Sequence, residues 1–173
     1  MIVKTAANSD GEVLDTEVIY SPEVGFAPDT HLWEEGNTVI SGRLSYWIGS
    51  PESTRVAVPG EEIVFPAREP HRHWNAEREA FHAAVQHRPA RNHAIGIHAS
   101  AGLVKVGRTN AAGLPRNVFE AVLVAQLAET YPAGLPPPVA QQFLRIVAWV
   151  ARRFGYEPHL PRYRHAERLL VPM

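Results

Sequence analysis

Gly60-Glu-Glu-Ile-Val-Phe-Pro66-Ala-Arg-Glu-Pro70-His71-Arg-His73-Trp-Asn75 is the stretch whose reading decides the fold. Pro59 and Gly60 suit a tight turn, because glycine adopts positive φ without a steric cost. Glu62 to Phe65 reads as a short strand, and Pro66 ends it at a bend. Pro70 presets a second turn, and His71 opens the next strand. Side chains alternate along a strand, so His71, His73 and Asn75 share one face while Arg72 and Trp74 share the other. A face carrying two imidazoles is a candidate ligand surface.

Working outward, the chain has two styles. Up to about residue 110, short apolar-alternating segments are separated by Gly, Pro, Asn, Asp and Ser. Strands are expected at Val13–Tyr20, Gly36–Ser41, Leu44–Ile48, Arg55–Val58, Glu62–Phe65, His71–Asn75, Ala80–His87 and Leu103–Val106. That regular spacing predicts a small antiparallel barrel, closed or nearly so. Arg88 to Ala101, with His93 and His98, reads as a helix or an ordered loop. From Pro115 the period lengthens to that of a helix: Val118, Phe119, Val122, Leu123 and Leu127 fit one broad face. Pro132 is expected to end this helix, and Pro136 to Pro138 to start another. There Phe143, Ile146, Val147, Val150 and Phe154 recur at three and four residues. Arg152 and Arg153 complement the helix dipole in the last turn, and Gly155 is the stop. The fold class is therefore mostly β. The expected division is a barrel over 1–113 and a helical extension over 114–173, packed on the barrel or at a dimer interface.

Composition limits the function. The 173 residues make one domain, or one domain with an extension, and 45% hydrophobic content supplies a core. A net charge of −1 gives no electrostatic case for nucleic acid or an anionic membrane. With no cysteine there is no disulfide, thiolate nucleophile or thiolate-bound zinc. The first ten residues lack the apolar core of a signal peptide, and no apolar run reaches membrane-spanning length. The expectation is a cytoplasmic protein.

The glycine, five residues, proline, then His71 and Asn75 resemble the second signature motif of the cupins, small jelly-roll β-barrels that often hold a metal. Where that family has a glycine two residues after the proline, this chain has Arg68. The first cupin motif is His-x-His, three or four residues, Glu, six residues, Gly. Glu35 and Gly42 fit it with six residues between, and counting back three from Glu35 places His31 at the second histidine. Asp29 then stands where the family has its first histidine. The resemblance implies an inner set of Asp29, His31, Glu35 and His71. It extends from about residue 12 to 163, because Gly107 to Pro115, two helices and Phe154-Gly155-Tyr156 are similar to the tail of many single-barrel cupins. Propensity alone would allow Ala80–His87 as helix; the resemblance is what makes it a strand, and it also implies a homodimer. Cupin reactions are diverse, so the fold does not select one.

Each candidate has a functional and a structural reading. His71 is a ligand or a core histidine, and His31 likewise. Glu35 is a ligand or, beside Glu34, a solvated strand residue. A buried carboxylate needs a partner, which a metal supplies. Asp29 follows Pro28, a common turn pair. His73 is a further ligand, a proton-transfer group or a satisfied core residue. His82, His87, His93, His98, His159 and His165 show no ligand spacing and are expected on the surface or in loops. Phe26 and Trp33 flank the first motif and are candidates for a pocket mouth. Two imidazoles with one or two carboxylates suit iron, manganese, nickel or zinc. Three hypotheses result. The first is a metal-dependent cupin enzyme (cyclase, isomerase, lyase or dioxygenase) acting on a small organic metabolite, with His73 as its catalytic proton carrier. The second is a non-catalytic barrel binding a small ligand through a degenerate metal site. The third is a scaffold whose helices mediate assembly.

Overall fold

A computed structural model describes residues 2–4, 12–90, 93–110 and 114–156. They form two compact units, residues 1–91 with 132–134, and residues 92–131 with 135–173.

The first unit is antiparallel β. Its strands are β1 (Ile2–Lys4), β2 (Leu14–Tyr20), β3 (Asp29–His31), β4 (Glu34–Ser41), β5 (Leu44–Ile48), β6 (Arg55–Ala57), β7 (Glu62–Phe65), β8 (His71–Trp74) and β9 (Phe81–Arg88). One sheet runs β1-β2-β9-β4-β7 and the other β3-β8-β5-β6. At the edge of β3 the chain returns, and the Ala133 N–H donates to the Pro28 carbonyl (3.1 Å). The sheets share one core. Val39, Ile63, Phe65, Phe81, Ala83 and Val85 of the first pack with Leu44 and Ala57 of the second. Burying a side chain of this size contributes about 1.5–3 kcal/mol, and this apolar end anchors the polar end described below.

The turns of the deciding stretch form as its residues predict. Gly60 has φ +88°. Arg68, at the family's glycine position, is left-handed at φ +67°. A side chain there costs roughly 1–2 kcal/mol, yet the turn is kept: the Arg68 N–H donates to the His31 carbonyl (2.7 Å). The second-motif turn thereby holds the first-motif histidine in place. On the outer face of β8, the Arg72 guanidinium lies 4.8 Å over the Trp74 ring.

The second unit is helical: α1 (His93–Lys105), α2 (Val118–Ala128) and α3 (Pro137–Arg153), with β10 (Thr130–Pro132) crossing back to the first unit at Pro132. Asn117 caps α2, its Oδ1 accepting from the N–H groups of Phe119 (2.9 Å) and Glu120 (3.3 Å). α1 and α2 touch at Gly96, where a Cβ would lie 2.8 Å from Ala128 Cα. α2 and α3 meet through Leu123, Ala148 and Ala151.

Four expectations are corrected here. The β unit ends near residue 91, not 113. Of the expected strand Leu103–Val106, residues 103–105 are the last turn of helix α1 and Val106 lies in the turn that follows. The segment's β-branched pair is a local signal, whereas burial at His93, Gly96, Ala99 and Leu103 follows the helical period over a longer window. Finally, α3 does not bury its bulky stripe. Ala140, Leu144, Ala148 and Ala151 are buried, while Phe143 is 58% and Trp149 67% exposed. Small residues allow the helices to approach, and the large side chains face outward. Pro132 also does not end α2; Glu129 does, left-handed at φ 53°. His159, His165 and the rest of the basic tail lie outside the described residues.

Candidate metal and ligand site

The polar end of the β unit is built from strand register. Asp29 of β3 lies opposite His71 of β8. Glu35 of β4 lies opposite Phe65 of β7 on one side and His87 of β9 on the other. Ile48 and Tyr46 of β5 pair with His71 and His73. Because Tyr46 and Ile48 pack on the shared core, the two histidines also face inward. The first motif converges on the same space, since the His31 and His71 ring centroids are 4.6 Å apart.

Glu35 is the hub. Its Oε1 accepts from Asn37 Nδ2 (2.7 Å), and His73 Nδ1 lies 3.7 Å from the same oxygen. Its Oε2 is 3.8 Å from His31 Nε2 and 3.8 Å from His87 Nε2. Asp29 is partnered separately, with Oδ1 3.2 Å from His71 Nε2. The orientation of three rings is fixed from behind. The Nδ1–H of His31 donates to the Trp33 carbonyl (2.5 Å), that of His71 to the Glu69 carbonyl (3.0 Å) and that of His87 to the Leu14 carbonyl (3.4 Å). A ring that donates through Nδ1 carries its lone pair on Nε2, the arrangement typical of metal-binding histidines. Trp33 stacks on His31 at 3.6 Å and meets His87 edge-on at 4.7 Å.

Burial controls the protonation of these groups. It pushes the Asp29 carboxyl, assisted by the neighbouring Glu35 charge, up to about 8. Glu35 is also raised by burial, against the Asn37 hydrogen bond and the proximity of His71. His71 is lowered by burial, and His73 is lowered to about 4 for the same reason. The Tyr20 hydroxyl is raised by burial and by both carboxylates. It therefore stays protonated and donates to His73 Nε2 (3.4 Å).

Two carboxyls raised mainly by burial stand among imidazoles with inward lone pairs, which are donor types that a divalent transition ion accepts. Among the described residues, no three His, Asp or Glu side chains are already gathered around one point closely enough to form a finished cation site.

Residues 16–86 match the cupin domain family, so the chain carries a cupin domain. Among solved structures, the polyketide cyclase RemF from Streptomyces resistomycificus is 23% identical with a TM-score of 0.46, over 50% of this chain and 61% of its own. The Clostridium difficile EutQ protein is 21% identical with a TM-score of 0.44, over 52% and 61%. The DMSP lyase DddQ from Ruegeria pomeroyi is 22% identical with a TM-score of 0.40, over 45% of this chain and 39% of its own. The chain thus spans well under two thirds of that lyase. No curated protein matches the sequence. No helix among the described residues is long and apolar enough to cross a membrane.

Asp29, His31, Glu35, His71 and His73 all lie at the polar end of the β unit, although Asp29 keeps a side-chain exposure of 30%. Sequence reading missed Tyr20, Asn37 and His87. His87, expected on the surface or in a loop, is buried. Its signal was present: Phe81, Ala83, Val85 and His87 alternate in strand period, which places the histidine on the core face. His93, also expected outside, is buried and its Nδ1–H donates to the Ala128 carbonyl (3.3 Å). Asn75 shares its strand face with His71 and His73 in the sequence, but acts as a clasp. Its Nδ2 donates to the Glu79 (2.7 Å), Ser21 (3.1 Å) and Tyr20 (3.4 Å) carbonyls.

Proposed function

We propose that this protein is a metal-dependent enzyme acting on a small organic molecule at the polar end of its cupin domain. The observation that carries this reading is Glu35, a buried carboxylate facing three imidazoles, with an uncharged His73 on one of its oxygens. Asp29, His31, Glu35 and His71 would hold iron, manganese, nickel or zinc. When bound, such an ion supplies Lewis-acid polarisation of a substrate carbonyl or stabilises an enolate. The chain's own residues handle the proton. Tyr20 donates to His73 Nε2, which leaves the Nδ1–H directed toward Glu35 Oε1. Tyr20, His73 and Glu35 stand in a row, but His73 Nδ1 lies 3.7 Å from Glu35 Oε1, beyond hydrogen-bond reach, so a proton would pass to the buried carboxyl only once a bound molecule or ion draws the two together. Phe26 and Phe65 flank the His73 ring and exclude water from it. Cyclisation, isomerisation or dehydration uses these parts, and oxygenation additionally requires a redox-active ion.

Metal analysis of the purified protein, followed by His71→Ala and His73→Ala, tests this. Stoichiometric transition metal, lost in His71→Ala and retained in His73→Ala with slower turnover, is the expected result. Protein that neither carries nor takes up metal selects the non-catalytic ligand-binding reading, which the unfinished cation site favours. For assembly, we propose a homodimer through α3. Its bulky apolar face is uncovered by the described residues, and a twofold contact is the commonest cover for such a face. A monomeric mass in light scattering at high concentration overturns the dimer.

A further inference from the structure

We infer that His87 is a metal ligand, supplying from β9 the imidazole that the first motif lacks at Asp29. The inference rests on the metal-dependent reading above and changes its ligand set. His87 stands directly across β4–β9 from Glu35, and both are buried on the inner face. Its Nε2 lies 3.8 Å from Glu35 Oε2, the distance at which His31 Nε2 meets the same oxygen. That is too long for a hydrogen bond. Two donors each about 2.1 Å from one ion stand roughly 3.0–3.8 Å apart as their angle widens from a right angle. His87 and His31 are also held alike: each donates Nδ1–H to a backbone carbonyl behind it, and Trp33 contacts both rings. Asn37 occupies Oε1 of the carboxylate, leaving Oε2 to the two imidazoles. Asp29, by contrast, is engaged with His71. Glu35 Oε2 thus has an imidazole nitrogen 3.8 Å away from each of His31 and His87, and these two histidines and one carboxylate would close into a ligand set when an ion binds. Its donors favour a borderline transition ion.

The test is cobalt(II) titration of the metal-stripped full chain, followed by visible absorption and equilibrium dialysis. His87→Ala and His87→Gln are each expected to weaken cobalt binding at least about tenfold. His82→Ala, on the outward face of the same strand, should bind as wild type does. Wild-type affinity in folded His87 variants, with cobalt lost in His71→Ala, overturns the inference while the metal-enzyme reading stands. A wild-type chain that takes up no cobalt overturns both. Should the His87 variants not fold, zinc anomalous diffraction from the wild-type protein decides. A peak at ligand distance from His87 Nε2 and Glu35 Oε2 is expected, and a peak between Asp29 and His71 overturns it.

Discussion

Replacing Asn75 by alanine should unclasp the β unit. Asn75 is 1% exposed and ties three segments together. Its Nδ2 reaches the Glu79, Ser21 and Tyr20 carbonyls, and its Oδ1 accepts from the Glu77 N–H (3.0 Å). The Asn75 main-chain N–H, donating to the Val24 carbonyl, survives the change. Three side-chain bonds have good geometry, and each contributes about 1 kcal/mol net. Of the abandoned carbonyls, those of Ser21 and Glu79 belong to exposed residues that can turn to water and only that of Tyr20, the longest of the three contacts, is on a half-buried residue, so little further penalty is added, and Asn75→Ala should cost about 3 kcal/mol. Asn75→Asp should cost more at neutral pH, because it aims a carboxylate at three carbonyl oxygens. It should recover part of the loss in acid, where the protonated carboxyl donates again. Three of the four tryptophans, Trp33, Trp47 and Trp74, lie in the β unit. Urea unfolding followed by tryptophan fluorescence in a Trp149→Phe background therefore reports on that unit. A loss under about 1 kcal/mol in Asn75→Ala, or an aspartate variant no worse than alanine at neutral pH, would refute the clasp. The consequence reaches the site, since Asn75 anchors the end of the strand that brings Tyr20 to His73.

Two further predictions concern backbone strain and a buried imidazole. Arg68→Gly should stabilise the β unit by about 0.5–1 kcal/mol, because relief of the left-handed residue outweighs the extra freedom of glycine in the unfolded chain; a lower urea midpoint would show that the arginine side chain matters to the turn. Burial holds His93 at about 4 against an ordinary 6.5, so the unfolded chain binds its proton first. Its contribution is undiminished above pH 6.5, is lost progressively as pH falls toward 4, and amounts to about 3 kcal/mol. Far-ultraviolet circular dichroism during denaturation should show that acid sensitivity in the helices, and a His93→Gln variant should flatten it.

Much of this was legible in one dimension. Alternation with a period of two placed β2 and β4 to β8 within a residue or two, because a half-buried strand writes its two faces directly into the sequence, whereas β9 was read as strand from the family resemblance. The motif spacing put Asp29, His31, Glu35 and His71 at one end of the β unit. Other features were legible only in part. β3 is three residues long, too short to show a period. The β-like Leu103–Val106 segment was outweighed by the helical burial of α1.

What the chain determines by itself is which residues share a face, since that follows from local backbone geometry. Which faces meet is decided in three dimensions. Glu35 and His87 are far apart in sequence and come opposite only when β9 pairs with β4. No spacing rule links them, so the carboxylate hub and its third imidazole were invisible until the strands were ordered. α3 makes the same point for helices. Its sequence offers a bulky apolar stripe and a small-residue stripe, and α2 accepts the small one because close approach requires it. Local periodicity proposes both surfaces, and only packing against a neighbour of definite shape chooses between them.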